Sequence, residues 1–434
     1  MKTLFRFVSC SLPILMLFSL SGCENANSDA TAGTLSDGKT LTVVTTVSGS
    51  DGFRPDAGIS PRTDRILEAI LAAEAEGYTV TVQTVSENDL SDSLMRTDRS
   101  GTKYADLIQS NALLLSKHYA AGRLISLADA GIEPSETGAL KTPDGIAYAF
   151  RADGWCNPIP TASYTVLYNE EIFWINGCET PMELYESGAW NWVNFEKLCR
   201  QISSTGSGVR AFAEPTETEP DLIWATLHAA GAVYFDADGV CVMDSQAALD
   251  GFSALRRLLT SGCTYATGSY VNDGAEPTAV DAFVRGRTAF YVGNSSVYFD
   301  TGEDSVSSLL GEKVRMLGFP AIAPNVSGTA FSAKDVFFGV SSFADKTLCQ
   351  TLLPKLFSLS EEDPKTEISE TRFFYEEDAK IYFDLLSSAD TDSSLWMTDN
   401  RSMVENFFVQ VSQGGSAKEI LDNLEMIFNS PKKG

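Results

Sequence analysis

The period of apolar and polar positions changes repeatedly along the chain. Leu41-Thr-Val-Val-Thr-Thr-Val47 is rich in β-branched residues and stops at the turn cluster Ser48-Gly49-Ser50-Asp51-Gly52, which predicts a first strand. From Asp64 to Glu76, Ile66, Leu67, Ile70 and Leu71 fall on one stripe of a 3.6-residue period, as in a helix packed along one side. Tyr78 to Val85 alternates like a second strand. Leu90–Arg96 predicts a helix, Ala105–Ile108 a short strand, and Leu113–Ala121 another helix closed by Gly122. Such alternation of strand and helix predicts an α/β layer with parallel strands.

The N-terminus has a different pattern. Lys2 and Arg6 precede an apolar run from Phe7 to Leu20, and small residues follow, the three parts of a secretory leader. The run is about 14 residues, short of the roughly 20 that a bilayer-spanning helix needs. Leu20-Ser21-Gly22-Cys23 resembles the lipobox of bacterial lipoproteins. That resemblance implies cleavage before Cys23, diacylglyceryl modification of its Sγ, and a mature chain held to the outer face of the cell membrane by lipid alone. The segment Glu24–Lys39 has Leu35 as its only large apolar residue and cannot bury enough surface to fold. It is expected to be a tether with a reach of roughly 20–25 Å. Residues 1–22 are therefore taken as leader and 23–40 as lipidated cysteine and tether.

The remaining body is long enough for two domains. It shows no repeats, no heptads and no second apolar run of membrane length. The formal net charge of −26 excludes a nucleic-acid binder, whose phosphates need a basic patch, and speaks against anionic lipid headgroups. Beyond Cys10 and Cys23 the cysteines are Cys156, Cys178, Cys199, Cys241, Cys263 and Cys349, without compact metal-ligand spacing. Local pairs Cys178/Cys199 and Cys241/Cys263 and buried free thiols both remain open. Two histidines offer little for catalysis: His118, near a helix end, is expected at the surface, and His228 in "LIWATLHAAG" is expected to be a satisfied helix residue. No nucleophile elbow, HExxH or P-loop occurs. A carboxylate pair for glycoside hydrolysis is the sole catalytic option, and with 58 acidic residues chance pairs carry no weight.

Several longer stretches resemble the extracellular solute-binding proteins of ABC importers, maltose-binding type. "GTKYADLIQSNALLLSKHYAAGRLISLAD" resembles part of their first lobe. "YTVLYNEEIFWINGCETPMELYESGAWNWVNFEKLCRQI" is the more specific match, with Tyr168-Asn169, Phe173, Gly177, Pro181 and Trp190-Asn191-Trp192 on the family pattern. "AFVRGRTAFYVGNSSVYF", "LGFPAIAPN", "VFFGVSSFADKTLCQTLLPKLFSLS" and "VSQGGSAKEILDNLEMIFN" follow in the family's order. The resemblance implies a two-lobed periplasmic-binding-protein fold, each lobe a sheet flanked by helices. Lobe one is expected from 41–152 with 291–339, and lobe two from 153–290 with 340–434. Three hinge crossovers are expected near Ala152–Tyr164, Phe290–Gly293 and Phe338–Ser341. The first, Phe150–Pro160, is longer than the family's usual one.

The resemblance further implies a receptor that closes on a small solute, a carbohydrate or oligosaccharide, and delivers it to permease subunits. It is expected to work as a monomer, without cofactor or metal and without catalysis. A same-fold binder of peptides or another small solute, or a surface glycosidase, are the alternatives. Sugars are held by flat aromatic faces together with planar polar groups. Strand ends and helix N-termini supply the candidates: Ser48, Gly49 and Asp51 after the first strand, and Gln109, Ser110 and Asn111 after the third. Trp155 in the first crossover, Glu214 and Thr216 after "VRAFA", Asn294 and Ser295 after "AFYVG", Lys334 and Asp335 before "VFFGV", and Trp396 complete the set. Trp174, Trp190, Trp192 and Trp224 are expected to pack inside.

Overall fold

The structure is a computed structural model that describes residues 38–48, 52–58, 61–133, 138–151, 159–216, 219–236, 238, 240–266, 278–324, 326, 328–357 and 364–429. Its early strands are β1 (Thr40–Thr45), β2 (Thr79–Thr84), β3 (Leu107–Asn111), β4 (Ala139–Lys141) and β5 (Ala147–Phe150). Later come β6 (Thr165–Asn169), β7 (Phe212–Ala213), β8 (Thr264–Tyr265), β9 (Phe290–Gly293), β10 (Val314–Gly318), β11 (Ala330–Phe331), β12 (Val336–Val340) and β13 (Asp390–Thr391). Cys23, with the leader and most of the tether, lies outside the described residues, as do Gly49, Asp51, Trp155 and Cys156. Among the described residues no helix is long and apolar enough to cross a membrane.

The first lobe is built on a six-stranded sheet in the order β2-β1-β3-β12-β5-β4. β1 runs parallel to β2 and β3, as the alternation of strand and helix predicts. The two faces of β1 bury alternate residues. Leu41 and Val43 join Phe53, Ile66 and Ile70 in one core, while Val44 faces Leu90, Leu94 and Leu115 in another. The helix Glu87–Ser100 begins where the Ser86 hydroxyl accepts the Asp89 N–H and ends at Gly101, whose φ of 67° suits a residue without Cβ.

The second lobe centres on β6, with β10 and β9 antiparallel on either side. β7 and β8 pair in parallel, and the Phe290 N–H donates to the Ala211 carbonyl, which carries the sheet across to them. Val166, Tyr168, Phe290 and Val292 face a large core with Phe195, Trp224 and Phe408. Arg315 of β10 ties in two helices: its Nε donates to Asp378 Oδ2 at 2.8 Å, and its Nη1 lies 3.4 Å from Glu170 Oε1.

The crossovers differ from expectation in two places. Residues 290–293 are β9, inside the second lobe's sheet, and 338–341 overlaps β12, which pairs with β3 and β5 in the middle of the first lobe's sheet. The helix Lys346–Phe357, expected in lobe two, packs Leu348, Leu352 and Leu356 into the core with Leu41 and Val43. The chain therefore passes between lobes at Arg151–Tyr164, at Phe319–Asp335, and once more after Phe357. Burial explains the placement of β12: Phe337 fills one core and Phe338 and Val340 the other, so "VFFGV" is covered on both faces.

Three side chains also differ from expectation. His118 is fully buried between the Ser91 hydroxyl (3.4 Å) and the Arg123 guanidinium (3.3 Å), and burial pushes its pKa down to about 4. His228 is half-buried against the Tyr164 ring, but its Nε2 has no hydrogen-bond partner among the described residues. Trp174 and its neighbour Ile175 are 62% and 76% exposed, because this six-residue helix turns Glu170, Ile172 and Phe173 inward. Trp192 and Trp224 are buried, and Trp190 donates from Nε1 to the Gly318 carbonyl at 2.9 Å. Cys178, Cys199, Cys241, Cys263 and Cys349 are buried free thiols.

Candidate functional site

Two cavities share one side chain. The first-lobe cavity, about 380 Å³, is walled by Glu87, Ser91, Asn111, Leu113 and Lys117, with Ala333 and Lys334 at its edge. The second-lobe cavity, about 70 Å³, is walled by Glu214, Glu219, Asp221 and Tyr291 over Phe212 and Phe290, and Lys334 closes it too. Lys334 sits on the crossover just before β12, so it stands where the two lobes meet. It makes no ion pair among the described residues.

The first-lobe wall is fixed by helix starts. Asn111 ends β3 and caps the helix Ala112–Ala120: its Oδ1 accepts the Leu114 N–H at 2.8 Å, and its Nδ2 donates to Glu87 Oε1 at 2.5 Å. Glu87 opens the preceding helix, so one polar cluster unites two helix N-termini at the carboxyl ends of the sheet's strands.

The second-lobe wall is acidic. Asp221 is the first residue of the helix Asp221–Ala229, half-buried, and burial pushes its pKa up, offset in part by Lys334 and Arg401. Glu219 receives the Ala279 N–H on both oxygens, at 3.1 and 2.9 Å, and burial raises it as well. Tyr291 is 9% exposed, and burial, reinforced by the charges of Asp221 and Glu219, pushes its phenol up. A Cβ at Gly293 would lie 2.3 Å from the Tyr291 Oη, so this glycine makes room for the phenol.

Beneath Lys334 lies a buried polar joint. Asp335 is fully buried and accepts from Thr161 Oγ1 at 2.5 Å, Asn294 Nδ2 at 2.9 Å, the Ser332 N–H at 2.7 Å and Ser163 Oγ at 3.3 Å. Arg151 Nη2 stands 3.6 Å from its carboxylate and donates to the Thr161 carbonyl at 2.5 Å. Ser295 Oγ accepts the Ala162 N–H at 3.1 Å. Both ends of the first crossover, the end of β9 and the approach to β12 thus meet on one carboxylate.

Of the sequence candidates, the structure puts Asn111, Glu214 and Lys334 on the cavity walls. Asn294, Ser295 and Asp335 belong to the buried joint. Gln109 and Ser110 are buried in the first sheet, where their side chains meet Thr45 and Thr46. Thr216 uses its hydroxyl to accept the Glu219 N–H at 3.1 Å, and Ser48 is exposed at the end of β1. The Trp396 ring packs with its centroid 5.6 Å from that of Tyr148 and 6.3 Å from that of Tyr119, against the first lobe. Sequence reasoning missed Asp221, Glu219 and Tyr291. Asp221 directly precedes the apolar run "LIWATL", a helix-start signal, whereas nothing in "AFYVG" separates an inward tyrosine from a core one. Among the described residues no cluster of His, Cys, Asp and Glu could hold a metal ion.

The sequence profile of the bacterial extracellular solute-binding proteins matches residues 69–356. No curated protein sequence matches the chain. Several solved structures do share its fold. The cyclic α-maltosyl-1,6-maltose binding protein of Arthrobacter globiformis superposes with a TM-score of 0.63 at 13% identity, over 90% of this chain and 98% of that one. The sugar-binding protein MalE of Xanthomonas citri gives 0.61 at 13% identity, over 90% and 96%. An ABC substrate-binding protein of Listeria monocytogenes, solved in complex with cycloalternan, gives 0.57 at 16% identity, over 90% and 98%.

Proposed function

Since the chain belongs to the bacterial extracellular solute-binding proteins, we propose that it captures a carbohydrate between its two lobes and delivers it to the permease of an ABC importer. The observation that carries this reading is the shared position of Lys334, which gives one bound molecule a contact common to both lobes. Neighbours of the same fold bind cyclic maltosyl-maltose, cycloalternan and other sugars, which supports a saccharide as the solute. Closure follows from differential affinity: a ligand that touches both walls binds the closed form more tightly and shifts the population toward it. The lipobox-like Cys23 supports a lipid anchor on the outer face of the cell membrane, which keeps the receptor beside its transporter. The protein acts as a monomeric binder, without hydrolysis of its ligand. The carboxylates on the second-lobe wall favour a peptide binder as the second reading.

Thermal unfolding against sugars, oligosaccharides and peptides tests this. A ligand at about 1,000 times its Kd adds roughly 4 kcal/mol, which is a shift of several degrees. A shift with a saccharide class, with no product formed, is the expected result. Shifts with peptides alone would transfer the function to the second reading, and hydrolysis of the saccharide would make the protein an enzyme.

A further inference from the structure

The second-lobe cavity carries more negative charge than a neutral sugar needs. Glu214, Glu219 and Asp221 line it, and among the described lining residues Lys334 is the one cation, with Arg401 acting on Asp221 from behind the wall. Hydroxyl groups are both donors and acceptors and call for mixed partners, whereas three acceptor-only carboxylates at one wall want donors that carry charge. A second feature points the same way. Tyr291 is nine-tenths buried on this wall, and its phenol makes no hydrogen bond among the described residues, so an oxygen is held ready for a donor from outside. Asp221 likewise has neither hydrogen bond nor ion pair within hydrogen-bonding distance among the described residues. At about 70 Å³ the cavity admits a single small group, while the first-lobe cavity of about 380 Å³ has room for a sugar ring.

We propose that the second-lobe cavity is a subsite for a protonated amine, so that the solute is an amine-bearing saccharide whose ring occupies the first-lobe cavity. The inference rests on the saccharide reading above and narrows it. The ammonium donates its three N–H groups to Asp221, Glu214 and the Tyr291 oxygen. Glu219, held by the Ala279 N–H, adds charge from behind. Lys334 is then a competitor for the same carboxylates as well as a part of the wall. Its removal would strengthen amine binding, an effect opposite in sign to the loss of a direct contact.

Calorimetric titration of the full chain with di- and trisaccharides in three matched forms tests this: 2-amino, 2-acetamido and neutral hydroxyl, each in α- and β-1,4 linkage. The amine form is expected to bind at least about tenfold more tightly than its acetylated and neutral counterparts, the size of one charge-assisted hydrogen bond. Glu214→Gln, at an exposed position, and Asp221→Asn should each erase that preference, and Lys334→Gln should increase it. Equal or tighter binding of the neutral or acetylated form would overturn the amine subsite and leave the saccharide reading in place. No binding by any of the three forms would overturn both.

Discussion

Replacing Asp335 by alanine strikes the joint that three segments share. The carboxylate is fully buried and accepts four hydrogen bonds, from Thr161, Asn294, Ser163 and the Ser332 backbone. It also faces Arg151, itself 5% exposed, at 3.6 Å. Alanine leaves that guanidinium charge buried without its counterion and strands donors on both lobes. Breaking a buried pair in this way costs about 3–5 kcal/mol. For lobe-sized cooperative units this corresponds to a drop in Tm of roughly 6–20 °C. Asparagine keeps the shape but sets an N–H₂ against donors on whichever side it occupies, so Asp335→Asn should fall between wild type and alanine. Differential scanning calorimetry of the three proteins at neutral pH measures the effect. A loss in Asp335→Ala below about 1 kcal/mol, the value of an exposed pair, would refute the claim that this carboxylate organises the joint.

Stability against pH should show two opposed contributions. His118 is held down to about 4 in the folded protein, so the unfolded chain binds its proton more tightly. Stability from this group is complete above the unfolded pKa of about 6.5 and declines as pH falls toward 4, by an amount on the order of 3 kcal/mol. Asp378 is pushed up to about 6 by burial, although Arg315 opposes the shift. The folded state therefore holds its proton more tightly, and its contribution grows as pH falls from 6 toward 4. Urea unfolding across this range should show a flatter acid decline for His118→Gln and a steeper one for Asp378→Asn; the reverse pattern would contradict both assignments. The buried thiols of Cys241 and Cys349, pushed up to about 11 and about 12, should resist thiol reagents at pH 8 until the protein unfolds. Rapid labelling of the native protein would show that these sites open.

The first lobe was legible because its elements are long and periodic. The stripe from Ile66 to Leu71 and the alternation from Tyr78 to Val85 each correspond to one element. The boundaries between lobes were harder, since "VFFGV" has the same composition in a crossover as in a central strand, and only the pairing with β3 and β5 decides. His118 misled because its position near a helix end says nothing of its face, and Ser91 on the neighbouring helix covers it. At the candidate site, Asn111, Glu214 and Lys334 could be named from strand ends and loops. Asp335 beside Lys334 carries the same loop signal yet is fully buried, because neighbouring residues in a turn point in opposite directions. No local pattern foretold that Thr161, Ser163, Asn294 and Ser332 would converge on it, since three of them come from segments far apart in sequence.

A solute that bridges both cavities should draw the lobes together on Lys334. Hydrogen–deuterium exchange with and without a saturating saccharide tests it most directly. Binding should protect, simultaneously, residues 87–91 and 111–117 on one lobe, 212–216 and 219–222 on the other, and 332–336 between them. Protection confined to one lobe, or absent from both while the saccharide binds, would place the solute elsewhere and contradict the account.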